Sequence, residues 1–176
     1  MKTNTLLLII FFVTAMPFLS TAQESNQGKK LWAKSILNEK APELVIEKWN
    51  SKEPDTKGKF VLVDFWATWC GPCRAGIPGL NNMQKKFIDK LVIIGISDES
   101  LEKVKSFKNP KIDYANGIDT KKTVSAFLGI RGIPHMILID PKGIVRWEGF
   151  PGLEGHEFTE EILEKLLAKY GVEKSS

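Results

Sequence analysis

The chain has 176 residues, 43% of them hydrophobic and 26% charged, with a formal net charge of +4. That is enough for one domain with a full core and the composition of an ordinary globular protein. Its basic residues are scattered among acids, in pairs such as Lys85-Lys86 and Lys121-Lys122 and not in tracts. Aromatics do not interleave with them, so no nucleic acid is expected as a partner.

Met1 to Ala22 reads as a signal peptide. Lys2 supplies a positive start, Leu6 to Leu19 is almost unbroken apolar, and Ser20-Thr21-Ala22 offers small residues for cleavage. The apolar stretch is shorter than the roughly 20 residues that span a bilayer, so an uncleaved membrane anchor is the second choice. Export to the periplasm or another extracytoplasmic space is expected. Residues 23–40 form a polar, lysine-rich leader predicted to be weakly ordered or a short helix. The remaining 41–176 are expected to make one domain.

Leu44 to Trp49 alternates like a short strand, and the turn-rich Asn50 to Gly58 reverses the chain into the apolar run Phe60 to Trp66. Past Pro72, Ile77, Leu80, Met83, Gln84, Phe87 and Ile88 recur at helical spacing. Leu91 to Ser97 reads as a central parallel strand. Asp98-Glu99-Ser100 starts a short helix that Pro110 stops, Tyr114 to Ile118 is a further strand, and Thr120 to Leu128 a helix. Met136–Ile139 and Ile144–Glu148 are antiparallel strands turned at Pro141-Lys142-Gly143, and Glu157 to Tyr170 is a closing helix. The order β-β-α-β-α-β-α-β-β-α predicts one mixed sheet with helices on both faces.

Cys70 and Cys73 are the only cysteines, and they fall where the Phe60 strand meets the first helix, in Trp69-Cys70-Gly71-Pro72-Cys73. The unpaired N–H groups of a helix N-terminus favour a thiolate on the first cysteine. A second thiol within reach can resolve a mixed disulfide, which suffices for dithiol–disulfide exchange. A structural disulfide closing so short a loop would add little chain-entropy stabilisation. Half of a metal site is the other bland reading. His135 and His156 complete a numerical Cys₂His₂ set, but their wide separation argues against zinc, and no metal or other cofactor is expected.

These residues resemble the thioredoxin superfamily, and more narrowly the TlpA/ResA-like exported thiol–disulfide oxidoreductases. The resemblance runs from about Ala41 to Tyr170. It is carried by Val61 to Arg74, by Pro78, by Gly129-Ile130-Arg131-Gly132-Ile133-Pro134, and by Leu138-Ile139-Asp140 before Gly143. It implies a thioredoxin fold with an N-terminal strand extension and a helix–strand insertion between Asp98 and Ile118. Two positions depart from the pattern: Gly76 stands where many relatives have glutamate, and His135 where threonine is common.

By this resemblance Cys70 attacks and Cys73 resolves. Asp64, an acid on a buried strand, would cost several kcal/mol of desolvation unless protonated or partnered. The resemblance places it beneath the thiols, helping to deprotonate Cys73; a strand-end residue bonded to backbone is the alternative. Sequence alone makes the Ile133–Pro134 bond trans, whereas the family pattern makes it cis, holding the Ile133 backbone beside the cysteines as a docking edge. Trp69 is expected to form an apolar lip, with Gly71 and Pro72 beside it, and Trp66 to pack in the core. Pro78 is expected to kink the helix, and Arg74 to lie on its exposed face.

Gly71-Pro72 adds no cation to stabilise a thiolate, which favours a reductant of envelope protein disulfides over a dithiol oxidase or isomerase. A metal-binding or non-catalytic docking module is the alternative from another class. The expected partners are protein disulfide or dithiol substrates and an upstream membrane thiol–disulfide donor, with the chain itself a monomer.

Overall fold

The computed structural model describes residues 31–171. The expected signal peptide lies outside the described residues. One sheet of six strands forms the centre, in the order β1-β4-β3-β2-β5-β6. The strands are β1 (Lys48–Trp49), β2 (Phe60–Phe65), β3 (Leu91–Ser97), β4 (Ala115–Ile118), β5 (His135–Ile139) and β6 (Val145–Gly149). The helices are α1 (Gly71–Lys86), α2 (Leu101–Ser106), α3 (Thr123–Phe127) and α4 (Glu160–Tyr170).

β2 runs parallel to β3 and antiparallel to β5, and β3 runs parallel to β4. Every residue of β2 and β3 is buried, because helices cover both faces. Side-chain alternation divides the core in two. Phe60, Leu62, Leu91 and Ile93 pack with Ile77, Leu80 and Met83 of α1 and Leu163 and Leu167 of α4. Val61, Val63, Phe65, Val92 and Ile94 pack on the other face with Val124 and Leu128 near α3 and with Ile36. The mixed sheet flanked on both faces is therefore the one the sequence predicts, and the element order is the same.

Several boundaries differ, each for a local reason. Only Lys48 and Trp49 of the expected Leu44–Trp49 strand pair with a neighbour, at Ile118 and Gly117. Helix α3 starts at Thr123 and not at Thr120, because the Asp119 carboxylate accepts from the N–H groups of Thr123 and Val124 at 3.0 Å each. α4 begins after Thr159, whose hydroxyl accepts from Ile162 N–H. α1 ends at Lys86, so Ile88, expected on its inner face, is exposed. Pro78 lies within α1. Gln84 anchors β3 instead of packing, donating to Leu91 O and accepting from Ile93 N–H.

The larger correction concerns the leader. Residues 31–40, expected to be weakly ordered or a short helix, are tied to the sheet. Ile36 is buried, and Asn38 and Glu39 exchange backbone hydrogen bonds with Val145. The Glu148 carboxylate accepts from Ile36 N–H at 2.8 Å and from the Ser35 hydroxyl. Polar composition concealed a buried apolar anchor, Ile36, the Trp32 ring against Phe150, and a run of backbone that completes an edge.

Candidate active site

α1 begins immediately after the β2–α1 turn, and Cys70 is its N-cap. The first turn contains no acidic residue to offset the positive end of the helix. Cys70 Sγ accepts from Cys73 N–H at 3.2 Å. The two sulfurs are joined in a disulfide, with Cα atoms 5.3 Å apart. Both cysteines are 3% exposed in this oxidised form. The turn before Cys70 is pinned from the end of β3: Glu99 accepts from Thr68 N–H at 2.6 Å and from its hydroxyl at 2.8 Å. Nothing in the local sequence connected Glu99 with that turn.

One cleft opens at Cys73 and a second at Trp69, the residue before Cys70. One, of about 360 Å³, is lined by Asp64, Pro72, Cys73, Gly76, Pro134 and apolar side chains of α1 and the β6–α4 segment. The other, of about 240 Å³, is lined by Trp66, Trp69, Ile133 and residues of the 130–132 loop. The structure thus brings Asp64, Cys73 and Pro134 to one cavity and Trp69 and Ile133 to its neighbour. Gly71 and Pro72 form the exposed start of the helix between them. The Ile133–Pro134 bond is cis, as is Asn109–Pro110. Trp69 is 70% exposed, whereas Trp66 is buried with its indole N–H donating to Asn116 Oδ1 at 3.0 Å. Arg74 is exposed with its guanidinium 5.8 Å from the centre of the Phe107 ring.

Asp64 is 2% exposed in the middle of the sheet. Burial pushes its carboxyl up from 3.8 to about 7, opposed by a hydrogen bond from the Tyr114 hydroxyl at 3.3 Å. Its proton affinity therefore lies near neutrality, where a group can take and return a proton. His135, next to Pro134, faces the opposite side of the sheet. It is buried between the rings of Phe65 and Phe150, and burial alone pulls it down from 6.5 to about 4. His156 stacks on Trp147 and contacts Glu148 O at 2.8 Å. The numerical Cys₂His₂ set does not converge, and among the described residues no three His, Cys, Asp or Glu side chains are grouped to hold a metal ion.

The strand order, the helices on both faces and the dithiol at the start of α1 together define the thioredoxin fold and, within it, a thiol–disulfide oxidoreductase. Residues 37–148 match the AhpC/TSA family, and the chain belongs to that family. It is 33% identical over 129 residues to the thioredoxin-like protein YneN of Bacillus subtilis, covering 70% of this chain and 69% of that protein. It is 33% identical over 139 residues to the thiol-disulfide oxidoreductase ResA of Bacillus thuringiensis, covering 76% of this chain and 80% of that protein. Among solved structures, the thioredoxin-like superfamily protein SPOA0173 superposes with a TM-score of 0.65 at 26% identity, over 78% of this chain and 99% of that one. No described helix is long and apolar enough to cross a membrane.

Proposed function

We propose that this protein is an exported reductant of protein disulfides that works through the Cys70–Cys73 dithiol. The observation that carries the reading is the pair at the N-terminus of α1 with Asp64 lining the cavity beside Cys73. In the reduced enzyme the helix end favours a Cys70 thiolate. That thiolate attacks one sulfur of a substrate disulfide; a Cys70–substrate bond forms and the other substrate sulfur leaves as a thiolate. Asp64 takes the proton from the Cys73 thiol, and the Cys73 sulfur attacks Cys70 Sγ. The Cys70–Cys73 bond forms, the Cys70–substrate bond breaks, and the electron pair departs on the second substrate sulfur. Each released thiolate takes a proton, so the substrate gains two electrons and two protons and the enzyme loses them. A dithiol donor in the membrane would return the pair to its reduced form.

Trp69 and the Ile133–Pro134 edge would receive the substrate segment on either side of its disulfide. Gly71-Pro72, which lacks a histidine or a cation, supports the reductant direction. The signal-type pattern in Met1–Ala22 supports export, and scattered charge supports protein and not nucleic-acid substrates. Peroxidase activity is a weaker reading, since no separate peroxidatic cysteine accompanies the pair.

The test has two measurements. The redox potential should lie near the thioredoxin value of about −270 mV; one near about −120 mV would make the protein an oxidant. A Cys73→Ser variant in the native envelope should accumulate mixed disulfides through Cys70, and an absence of such adducts would defeat the exchange reading.

A further inference from the structure

Among the described residues Asp64 has one polar side chain bonded to it, and that side chain comes from far along the chain. Tyr114 stands immediately before β4, fifty positions after Asp64, and its hydroxyl donates to Asp64 Oδ2. Between β2 and β4 lies β3, where Gly95 is the register partner of both Asp64 and Asn116. Gly95 has no side chain, and the Trp66–Asn116 hydrogen bond occupies the space a Cβ would need. Asn116 in turn donates from Nδ2 to Tyr114 O at 3.2 Å. Trp66, Asn116, Tyr114 and Asp64 therefore form one buried hydrogen-bonded set beneath the dithiol.

We infer that Tyr114 is a positioning residue for the dithiol reaction: its hydroxyl holds Oδ2 of Asp64 and leaves Oδ1 to take the Cys73 proton. This rests on the assignment of Asp64 as the proton acceptor for Cys73. A hydroxyl donated to a carboxylate favours its charged form, the form a base needs. Burial and the neighbouring Asp64 both push the Tyr114 phenol well above its ordinary range, so it stays a donor throughout the working pH. The remaining titratable groups near Asp64 do not replace it. Glu160, which lines the same cavity, bonds to Lys86 at 2.6 Å. Lys105, Lys108 and Lys111 line a separate cleft of about 460 Å³ on the far side of Tyr114, where Lys111 pairs with Asp113. No lysine or arginine lines the cavity shared by Asp64 and Cys73 among the described residues. The phenol does here what a buried cation could do elsewhere, without adding a charge.

The experiment follows the Asp64 carboxyl carbon by NMR through a pH titration of the full chain, alongside the rate of mixed-disulfide resolution. Tyr114→Phe should move the Asp64 midpoint upward by about one pH unit, the size expected for a lost hydrogen bond to a charged group. The pH inflection of resolution should move with it, so that the variant is several-fold slow at pH 7 and recovers at pH 9. Incorporation of 3-fluorotyrosine, a stronger donor at an unchanged position, should move both downward and does not depend on the Phe variant folding. In an Asp64→Asn background, Tyr114→Phe should leave the pH profile unaltered. A Tyr114→Phe midpoint that does not move, or a rate lowered equally at every pH, would overturn the inference. If Asp64→Asn alone leaves resolution unchanged, the fault lies in the Asp64 assignment, and the role of Tyr114 falls with it.

Discussion

Two ionisable side chains sit almost back to back in the sheet, and they show what burial does with and without a partner. Asp64 on β2 and His135 on β5 are each 2% exposed, and their neighbours in register, Met136 and Phe65, link the two strands. Burial drives both toward the neutral form, the acid upward and the base downward. Asp64 has the Tyr114 hydroxyl and a cavity shared with Cys73. His135 has two aromatic rings, and its Nδ1 is the one buried side-chain polar atom without a hydrogen-bond partner among the described residues. The same desolvation thus leaves a carboxyl open to a cavity on one face and a sealed imidazole on the other.

The two groups oppose each other in the pH dependence of stability. Folded Asp64 keeps its proton up to about 7 while the unfolded carboxyl loses it near 3.8, so stability falls as pH rises through that window. Folded His135 stays neutral down to about 4 while the unfolded ring protonates near 6.5, so stability falls as pH drops through that window. Between pH 4 and 6.5 the slopes should nearly cancel in the wild type. Asp64→Asn should remove a penalty on the order of 4 kcal/mol at pH 8 and leave stability rising with pH between 4 and 6.5. His135→Leu should do the reverse, with stability falling by about 3 kcal/mol across the same range. Denaturant unfolding at half-unit pH intervals measures both; parallel curves for the two variants would break the comparison.

Kinetics should separate the two residues further. Asp64→Asn should slow resolution of a mixed disulfide on the order of 10²-fold, the lower range for a lost general base, whereas His135→Leu should leave it nearly unchanged. Stopped-flow reduction of a model disulfide reads both. The smallest expected effect is structural. Gly95→Ala would place a Cβ 2.6 Å from Asn116 Oδ1 and 2.9 Å from Trp66 Nε1, and should cost about 1–3 kcal/mol by displacing that hydrogen bond. Thermal unfolding checks it; a neutral outcome would mean the set beneath the dithiol yields easily.

Pattern made the framework readable. The unbroken apolar run of β3 announces a strand buried on both faces, and the spacing of Ile77, Leu80 and Met83 announces the helix that covers it. Local signals also located the dithiol, because strand, cysteine pair and helix are contiguous. What sequence could not supply was any partner brought from a distance. A buried Asp64 demands a donor, yet nothing in residues 60–73 points to Tyr114. Glu99, which pins the turn before Cys70, looks like an ordinary helix-start acid. The shortening of β1 to two residues likewise depends on how much of β4 is available to pair. Residues 31–40 were misread because composition reports solvation, while their order comes from backbone pairing.

That backbone pairing has a consequence for solubility. β6 ends the sheet, and an uncovered terminal strand offers its N–H and C=O groups to any passing chain. Residues 38–41 occupy the start of that border through Val145 and Gly143, and the Glu148 carboxylate fastens the stretch just before them. The segment works as a selvedge over the start of β6. A version of the domain trimmed to begin at Ala41 would keep its dithiol but lose the buried Ile36 and carry an open border.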